Sequence, residues 1–540
     1  MNKAPGLRQT FRRSDAHRKK LEMEFERSGE LTIDRFKSFS EVIGISAAAL
    51  GGFSPFGTSH PVQKPLPRPG KRSVTSLKLL TTKTATMFGK IRKIHFIGIG
   101  GIGMSGLAEI LLARGFQVSG SDRIDSPIVR RLARLGARTA IGHSERHLQD
   151  CEAVVFSTAI PEENPELQAA RKGGLPTVHR AEILAELLRR AEGITVTGTH
   201  GKTTTTAMLA LILRQAGLDP TIVVGARVPE LESNAVAGSG AHVLAEADES
   251  DRSFLKLRPI HALLTNIDLD HLDCYRDLGD LQDAFLEHLQ SVPFYGNIVV
   301  WADDPNGPPI WKKLHRPMLT FGFGPAARFR AADLESTPDG VQYACWDDTE
   351  LLGMIDLKVR GKHNALNSLG AVAMASSLEI PFPTIARALQ GFQGAERRME
   401  RIGERNGVTV LNDYGHHPAE IEATLEACRS MGRRIVLVFQ PHRFSRTLHL
   451  MDRLAQCFGQ TDELYLMDVY AAGEAPIEGV DSARLAEKIS AFRTVHYAPD
   501  PDLLLEQLRN ETRPGDLLVT MGAGDVGRIG RSFIGGAGDE

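Results

Sequence analysis

The chain has 540 residues, 42% of them hydrophobic and 24% charged; this excludes fibrous and wholly disordered classes and, at roughly 150 residues per domain, predicts three or four folded units. A formal net charge of −2 divides into a basic first ninety residues (+10) and an acidic remainder (−12), which excludes nucleic-acid binding as the main activity of the body. Five scattered cysteines without a C-x-x-C pair exclude a disulfide framework and fit reduced thiols in a cytoplasmic protein.

Residues 1–90 read as a basic N-terminal extension. Their longest apolar run, 42–53, is too short to span a bilayer and the first thirty residues lack a signal-peptide pattern, so no membrane span is expected. Residues 54–86 are rich in Pro, Ser, Thr, Lys and Gly without a period and predict disorder. Met87 stands just before the first strand and reads as an alternative translation start, with a true extension as the competing reading.

Short, often β-branched apolar runs then recur at 94–99, 153–158, 194–199, 222–225, 243–248, 262–267, 298–302, 408–413, 435–440, 464–469 and 517–521. Many are separated by helical patterns such as 203–215, which Gly217 closes. The pattern predicts an α/β fold with largely parallel sheets, divided near 190 and 400. Ligands gather beyond the carboxyl ends of parallel strands, so the polar residues after each run are the candidates.

The first run ends in GIGGIGMS, beginning at Gly98. Gly98, Gly100 and Gly103 form a G-x-G-x-x-G at a strand-to-helix turn, where bare backbone N–H groups can approach a pyrophosphate. Asp122 follows at ribose-binding distance. The pattern fits a dinucleotide or a nucleotide-sugar diphosphate and does not choose NAD; a tight turn is the competing reading. Ser157, Thr158, Ala159 and Ile160 at a later strand end, with His143, His179 and Arg180, are further candidate contacts.

The run at 194–199 leads into GTHGKTTT from Gly198, a shortened P-loop in which Lys202 reaches phosphates and Thr203 holds Mg²⁺. Val196 stands where the longer pattern asks for Gly. EADESD at 246–251 and TNIDLDH at 265–271 supply carboxylates and an imidazole at neighbouring strand ends, so Thr203 with Glu246 forms a first magnesium shell and His271 serves a second ion. GKHNALN at 361–367 opens a helix that puts His363, Asn364 and Asn367 within one turn, suited to an adenine edge. NDYGHHP at 412–418 and QPHRFSR at 440–446 bring Tyr414, His416, His442, Arg443 and Arg446, a pocket for the carboxylate of a small amino acid.

Seven motifs in this order and spacing, over about residues 91–527, resemble the Mur ligase family. The resemblance implies a three-domain ligase: a Rossmann-like N-terminal domain (91–190) for a UDP-sugar, a central P-loop ATPase domain (191–400) with a mostly parallel sheet, and a Rossmann-like C-terminal domain (401–540) for the amino acid. It implies ATP-dependent joining of L-alanine to the lactyl carboxylate of UDP-N-acetylmuramate through an acyl phosphate, with closure hinged near residue 400. It assigns Gly98, Gly100, Gly101, Gly103, Met104, Ser105 and Asp122, with Ser157, Thr158 and Ala159, to the UDP-sugar. Gly198, Thr199, His200, Gly201, Lys202, Thr203 and Thr204, then His363, Asn364 and Asn367, with Arg398 and Asp413, fall to ATP. Thr203, Glu246 and His271 fall to Mg²⁺, and Tyr414, His416, His442, Arg443 and Arg446 to the amino acid. Lys202, His271 and His416 are the expected catalytic groups, His416 as a base. Several relatives carry a carbamylated lysine after the His271 position; no Lys lies between Lys256 and Lys312, and Asp280 or Asp283 stands in for it. Alternative readings are a ligase of preformed peptides, an NAD-dependent dehydrogenase and a nucleotide-binding regulator.

Overall fold

The computed structural model describes residues 87–337 and 339–535; the expected leader, 1–90, lies largely outside the described residues, the first of which is Met87. Three sheets follow one another along the chain. The first has five parallel strands, in the order Arg138–Ile141, Gln117–Asp122, Lys93–Ile97, Ala153–Phe156 and Thr177–His179. The third has six, in the order Glu400–Arg405, Val408–Asp413, Leu517–Met521, Ile435–Phe439, Glu463–Leu466 and His496–Tyr497, with only Glu400–Arg405 antiparallel.

The second sheet has ten strands. Its centre is Ile298–Trp301, His261–Leu264, Glu192–Thr197 and His242–Glu246, all parallel, and each of these strands is apolar and buried because helices cover both faces. Helix Lys202–Gln215 starts at the end of Glu192–Thr197 and is buried nearly all round, from Thr203 to Leu213. It packs against helices Lys362–Ser377 and Phe382–Gln390, so the phosphate-binding turn at its head sits on a rigid base. Each of the eleven apolar runs overlaps a strand, and the helix expected at 203 begins at Lys202. The sheet is less uniformly parallel than the runs imply: Phe329–Ser336, Val341–Asp347 and Glu350–Leu357 form an antiparallel extension, and Ser233–Val236 pairs antiparallel at the other edge.

All five cysteines are free, four of them buried. Among the described residues no helix is long and apolar enough to cross a membrane.

Glu166 organises the first sheet from inside. Fully buried, it accepts the Ser121 hydroxyl at 2.5 Å, His147 Nδ1 at 2.6 Å and the Ser144 N–H at 3.2 Å, with His143 Nδ1 at 3.3 Å and His95 Nε2 at 3.6 Å. Burial alone would raise its pKa; His95, Ser121 and His147 outweigh it and hold the carboxyl down at about 2. A depressed carboxyl pKa contributes stability that is present above the unfolded value and lost as pH falls through the folded one. Glu166→Gln is therefore expected to lose about 3 kcal/mol at pH 7, a gap that closes between pH 4.5 and 2, as urea unfolding at pH 7 and at pH 3 will measure.

Candidate active site

At the end of Lys93–Ile97 the chain turns through Gly98, whose φ of +74° favours glycine. The N–H groups of Gly98 and Ile99 donate to Ser121 O, and that of Gly100 donates to Asp122 Oδ2 at 2.8 Å. Asp122 thus braces the loop with the oxygen expected to meet a ribose. Gly101 opens helix Ile102–Ala113. The loop residues Gly101–Met104, with Ser157 and Arg180, form one wall of a cleft of about 980 Å³, and Val223, Gly225, Glu246 and Phe254 form the other. The cleft therefore lies between the first and second sheets.

Several expected contacts in this region are otherwise engaged. The Ser105 hydroxyl donates to Ile102 O within its own helix, His143 belongs to the Glu166 cluster, and His179 Nδ1 caps helix Arg180–Arg189 by accepting from Ala181 N. Thr158 donates to Asp251, and Ala159 is solvent-exposed.

Val196 is core, wholly buried within its strand, so the phosphate turn occupies only 198–201. Gly198 has φ +127°, and a Cβ there would lie 2.2 Å from Thr265 Oγ1; one on Gly201 would lie 2.3 Å from Asn367 Oδ1. The loop is therefore pressed between the TNIDLDH strand end and the GKHNALN helix. Lys202 Nζ donates to Gly198 O at 2.7 Å, to Thr199 O at 3.1 Å and to Glu249 Oε1 at 2.9 Å. Burial would discharge this lysine, but Glu249 and then Asp248 outweigh it and raise its pKa.

Thr203 Oγ1 donates to Glu246 Oε1 at 3.0 Å, and Gly225 N donates to Glu246 Oε2 at 2.7 Å. His271, at φ +55°, brings Nε2 to 3.5 Å from Glu249 Oε1. Glu249 consequently bridges Lys202 and His271. It carries no role in the sequence reading, although EADESD contains it; what distinguishes it from Asp248 and Asp251 is its complete burial, which sequence does not display. The two acids expected to stand in for a carbamylated lysine are paired elsewhere: Asp280 with Arg252, and exposed Asp283 with Lys313. Their helix faces other groups, so neither replaces a carbamylated lysine.

On the opposite side of the phosphate turn lies a crevice of about 1210 Å³ between the second and third sheets. His200, Thr204, Asn367, His363 and Asp304 line one wall; Arg398, Asp413 and Glu420 line the other. Asn364 Nδ2 donates to Arg360 O, leaving Asn364 Oδ1 facing Asn367 Nδ2 at 3.4 Å. Burial, then Arg398, pushes the His363 pKa down to about 4, so its imidazole is neutral. Asp413 accepts from Met399 N and Gly415 N and holds the 397–399 segment, where Arg397 and Met399 adopt φ +59° and +48°.

The arginines at 443 and 446 do not stand free for a substrate carboxylate. Arg446 forks onto Asp270 at 3.0 and 3.3 Å, and Arg443 meets Asp273 at 3.0 Å. Both contacts cross from the third sheet to the segment after His261–Leu264. His416 Nδ1 faces Tyr414 O at 3.0 Å and therefore carries the hydrogen; burial, then Arg446, lowers its pKa to about 3.

A chamber of about 1370 Å³ joins these parts. Ile102 from the first sheet, Lys202, Thr203 and Glu246 from the second, and Tyr414, His416 and Arg446 from the third all line it. It shares Ile102, Gly225 and Glu246 with the first cleft and Gly201, Arg398 and Glu420 with the second crevice. Three crevices thus face one point, which is what condensing a diphosphate-linked acid, a nucleoside triphosphate and an amine demands.

Family comparisons agree with this arrangement. The description "Mur ligase family, catalytic domain" matches residues 93–192, "Mur ligase middle domain" 196–375, and "Mur ligase, glutamate ligase domain" 397–524. The UDP-N-acetylmuramate–L-alanine ligase of Syntrophotalea carbinolica is 47% identical over 451 residues, 83% of this chain and 98% of that protein. That of Solidesulfovibrio magneticus is 48% identical over 455 residues, 83% of this chain and 99% of that protein. Among solved structures, the UDP-N-acetylmuramate-alanine ligase of Thermotoga maritima superposes with a TM-score of 0.70 at 28% identity, covering 82% of this chain and 98% of that one. A murein peptide ligase from Psychrobacter arcticus gives 0.62 at 25% identity, covering 82% and 98%.

Proposed function

The chain belongs to the Mur ligase family, and from that premise we propose that it joins L-alanine to the lactyl carboxylate of UDP-N-acetylmuramate at the expense of ATP, in the cytoplasm, for peptidoglycan precursor synthesis. The observation that carries the reading is the chamber that residues of all three sheets line around Lys202.

In this reading the UDP-sugar lies along the glycine loop at 98–103, with its carboxylate in the chamber. ATP enters between His363 and Arg398 with its γ-phosphate at the turn of Lys202. The carboxylate attacks that phosphorus in line, releasing ADP and leaving an acyl phosphate. Lys202 stays charged through Glu249 and exchanges its contacts with the Gly198 and Thr199 carbonyls for phosphate oxygens. Thr203 and Glu246 present a hydroxyl and a carboxylate oxygen 3.0 Å apart, hard donors that fit Mg²⁺, with His271 beside them. When bound, the ion neutralises charge on the phosphate oxygens.

The amine, once it has lost its proton to solvent, attacks the activated carbonyl, and the tetrahedral intermediate breaks the acyl C–O bond to release inorganic phosphate, which carries away the remaining amine proton. The lone pair of His416 is on Nε2, because Nδ1–H points to Tyr414 O. A group with a pKa near 3 is too weak a base to deprotonate an ammonium of about 8, so His416 orients the amine as a hydrogen-bond acceptor. This changes its expected part from base to positioning group. Tyr414, His442 and Arg446 surround the same point, where Arg446 is held by Asp270 and faces His442 Nδ1 at 3.3 Å, and its positive charge favours the alanine carboxylate there.

Phosphate release with UDP-N-acetylmuramate, ATP, Mg²⁺ and single amino acids tests the reading. L-alanine is expected to drive turnover; turnover with a tripeptide alone would replace this function with that of a peptide ligase. Similarity over the whole folded body to amide-forming ligases does not favour a dehydrogenase or a non-catalytic regulator.

A further inference from the structure

Glu420 has no part in the proposed coupling, yet it reaches the phosphate turn from the third sheet. It stands in the first turn of helix Pro418–Arg429, where its Oε2 accepts the N–H groups of His416 at 3.1 Å and His417 at 3.3 Å. That oxygen is occupied within its own helix end. Oε1 projects across the nucleotide crevice to His200 Nδ1 at 3.3 Å and Arg398 NH1 at 3.7 Å. The other ring nitrogen, His200 Nε2, lies 3.2 Å from Asp268 Oδ2. We propose that Glu420 is a positioning residue that acts through His200: with the third sheet seated, its carboxylate makes this imidazole a fixed cation at the triphosphate, beside Lys202.

The argument is geometric. A neutral imidazole has a single N–H, so one carboxylate beside it fixes only a tautomer. Carboxylates at both nitrogens call for two N–H groups and therefore for the imidazolium. Burial disfavours that charge, but Asp268 and Glu420 outweigh it and raise the His200 pKa to about 9. The remaining neighbour, His417, holds its ring 4.7 Å from that of His200. Its Nδ1 accepts from Ala419 N and its Nε2 faces Leu269 O; burial, then His200, lowers its pKa to about 4, so it is neutral and does not oppose the cation.

The backbone of His200 cannot drift from the turn. Its N–H donates to Asn266 Oδ1 at 2.9 Å, and its carbonyl accepts from Thr265 Oγ1 at 2.6 Å and Asn266 Nδ2 at 2.9 Å. Asp268 follows on the same strand end and stays with it, whereas Glu420 belongs to the third sheet. The second cation is therefore complete only when that sheet is in place. The inference rests on the ATP reading of this crevice.

The test uses the full chain. Labelling histidine with ¹³C at Cε1 gives a resonance for His200, assigned by its absence in His200→Gln. Its midpoint is expected near pH 9 in the wild type and lower by about 1–2 pH units in Glu420→Gln, whose amide oxygen still accepts the His416 and His417 N–H groups. A raised imidazole pKa adds affinity for an anion that is present at low pH and lost as pH rises through it. Calorimetry with MgATP and no other substrate should therefore find equal affinities for the wild type and Glu420→Gln at pH 6, and binding by the variant about tenfold weaker at pH 8.5. Adding Glu420→Gln to His200→Gln should weaken binding no further. An unchanged midpoint in Glu420→Gln, or an equal loss of affinity at both pH values, overturns the proposal and makes Glu420 a direct contact of the nucleotide. A wild-type midpoint near the ordinary histidine value of about 6.5 overturns it without recourse to any variant. Absence of MgATP binding by the wild type overturns the ATP reading and this inference with it, whatever the midpoints.

Discussion

Lys202→Ala is expected to cut turnover to near background in the phosphate-release assay, lowering kcat/KM by roughly a hundred- to a thousandfold, on the scale of about 3–4 kcal/mol seen when one preorganised charge-stabilising donor is removed. The same substitution should also destabilise the fold. Glu249 is fully buried and takes its charge partner from Lys202 at 2.8 Å, and stranding one member of a buried pair costs about 3–5 kcal/mol. The two losses are separable. Adding Glu249→Gln to Lys202→Ala removes the stranded charge, so urea unfolding should recover most of the stability while phosphate release stays at background. Recovery of both would mean that Lys202 serves the fold alone.

Arg446→Ala should loosen the union of the second and third sheets. Arg446 and Asp270 are 9% and 7% exposed and make a two-pronged contact. Burial alone would raise the Asp270 pKa, yet Arg446 holds it well below the ordinary range. Without the guanidinium this buried carboxylate keeps only the His271 N–H at 2.7 Å and the His271 imidazole at 3.7 Å, and breaking a buried pair in this way costs about 3–5 kcal/mol. Arg446→Lys should recover little, because an ammonium cannot reproduce the planar fork. The expected signature is a KM for L-alanine that rises sharply while the KM for UDP-N-acetylmuramate, bound at the first sheet, changes little. Asp270→Asn should be less harmful in the Arg446→Ala background than in the wild type, and a double-mutant cycle on unfolding midpoints measures that coupling.

The apolar runs identified strands well because a central parallel strand is buried on both faces, as at Ile435–Phe439 and His261–Leu264, where every residue is buried. Gln117–Asp122, QVSGSD, hides behind its polarity: its serines are buried through hydrogen bonds to His95, His143 and Glu166. The antiparallel extension at 329–357 mixes polar and apolar residues and holds only short apolar runs, Tyr343–Trp346 and Leu351–Ile355. At the site, glycines and Lys202 were legible because a phosphate turn constrains consecutive residues. Glu249, Glu420 and Asp268 were not, since their importance comes from partners 47, 220 and 68 positions away, at Lys202, His200 and His200 respectively. Ser105, His143 and His179 show the converse: their residue types suit a ligand, and sequence does not display the helix carbonyl, the buried acid and the helix end they also hold.

The stretch from Asp268 to Asp273 touches both reacting halves. Its carboxylates at 268, 270 and 273 receive Arg453, Arg446 and Arg443 from the third sheet, while His271 between them turns toward Glu249 and the lysine of the phosphate turn. Any displacement of the amine-side lobe is therefore transmitted through six consecutive residues to the groups beside the triphosphate. Arrival of the second substrate and readiness of the first chemical step share one mechanical part, so neither can be tuned by mutation in this stretch without disturbing the other.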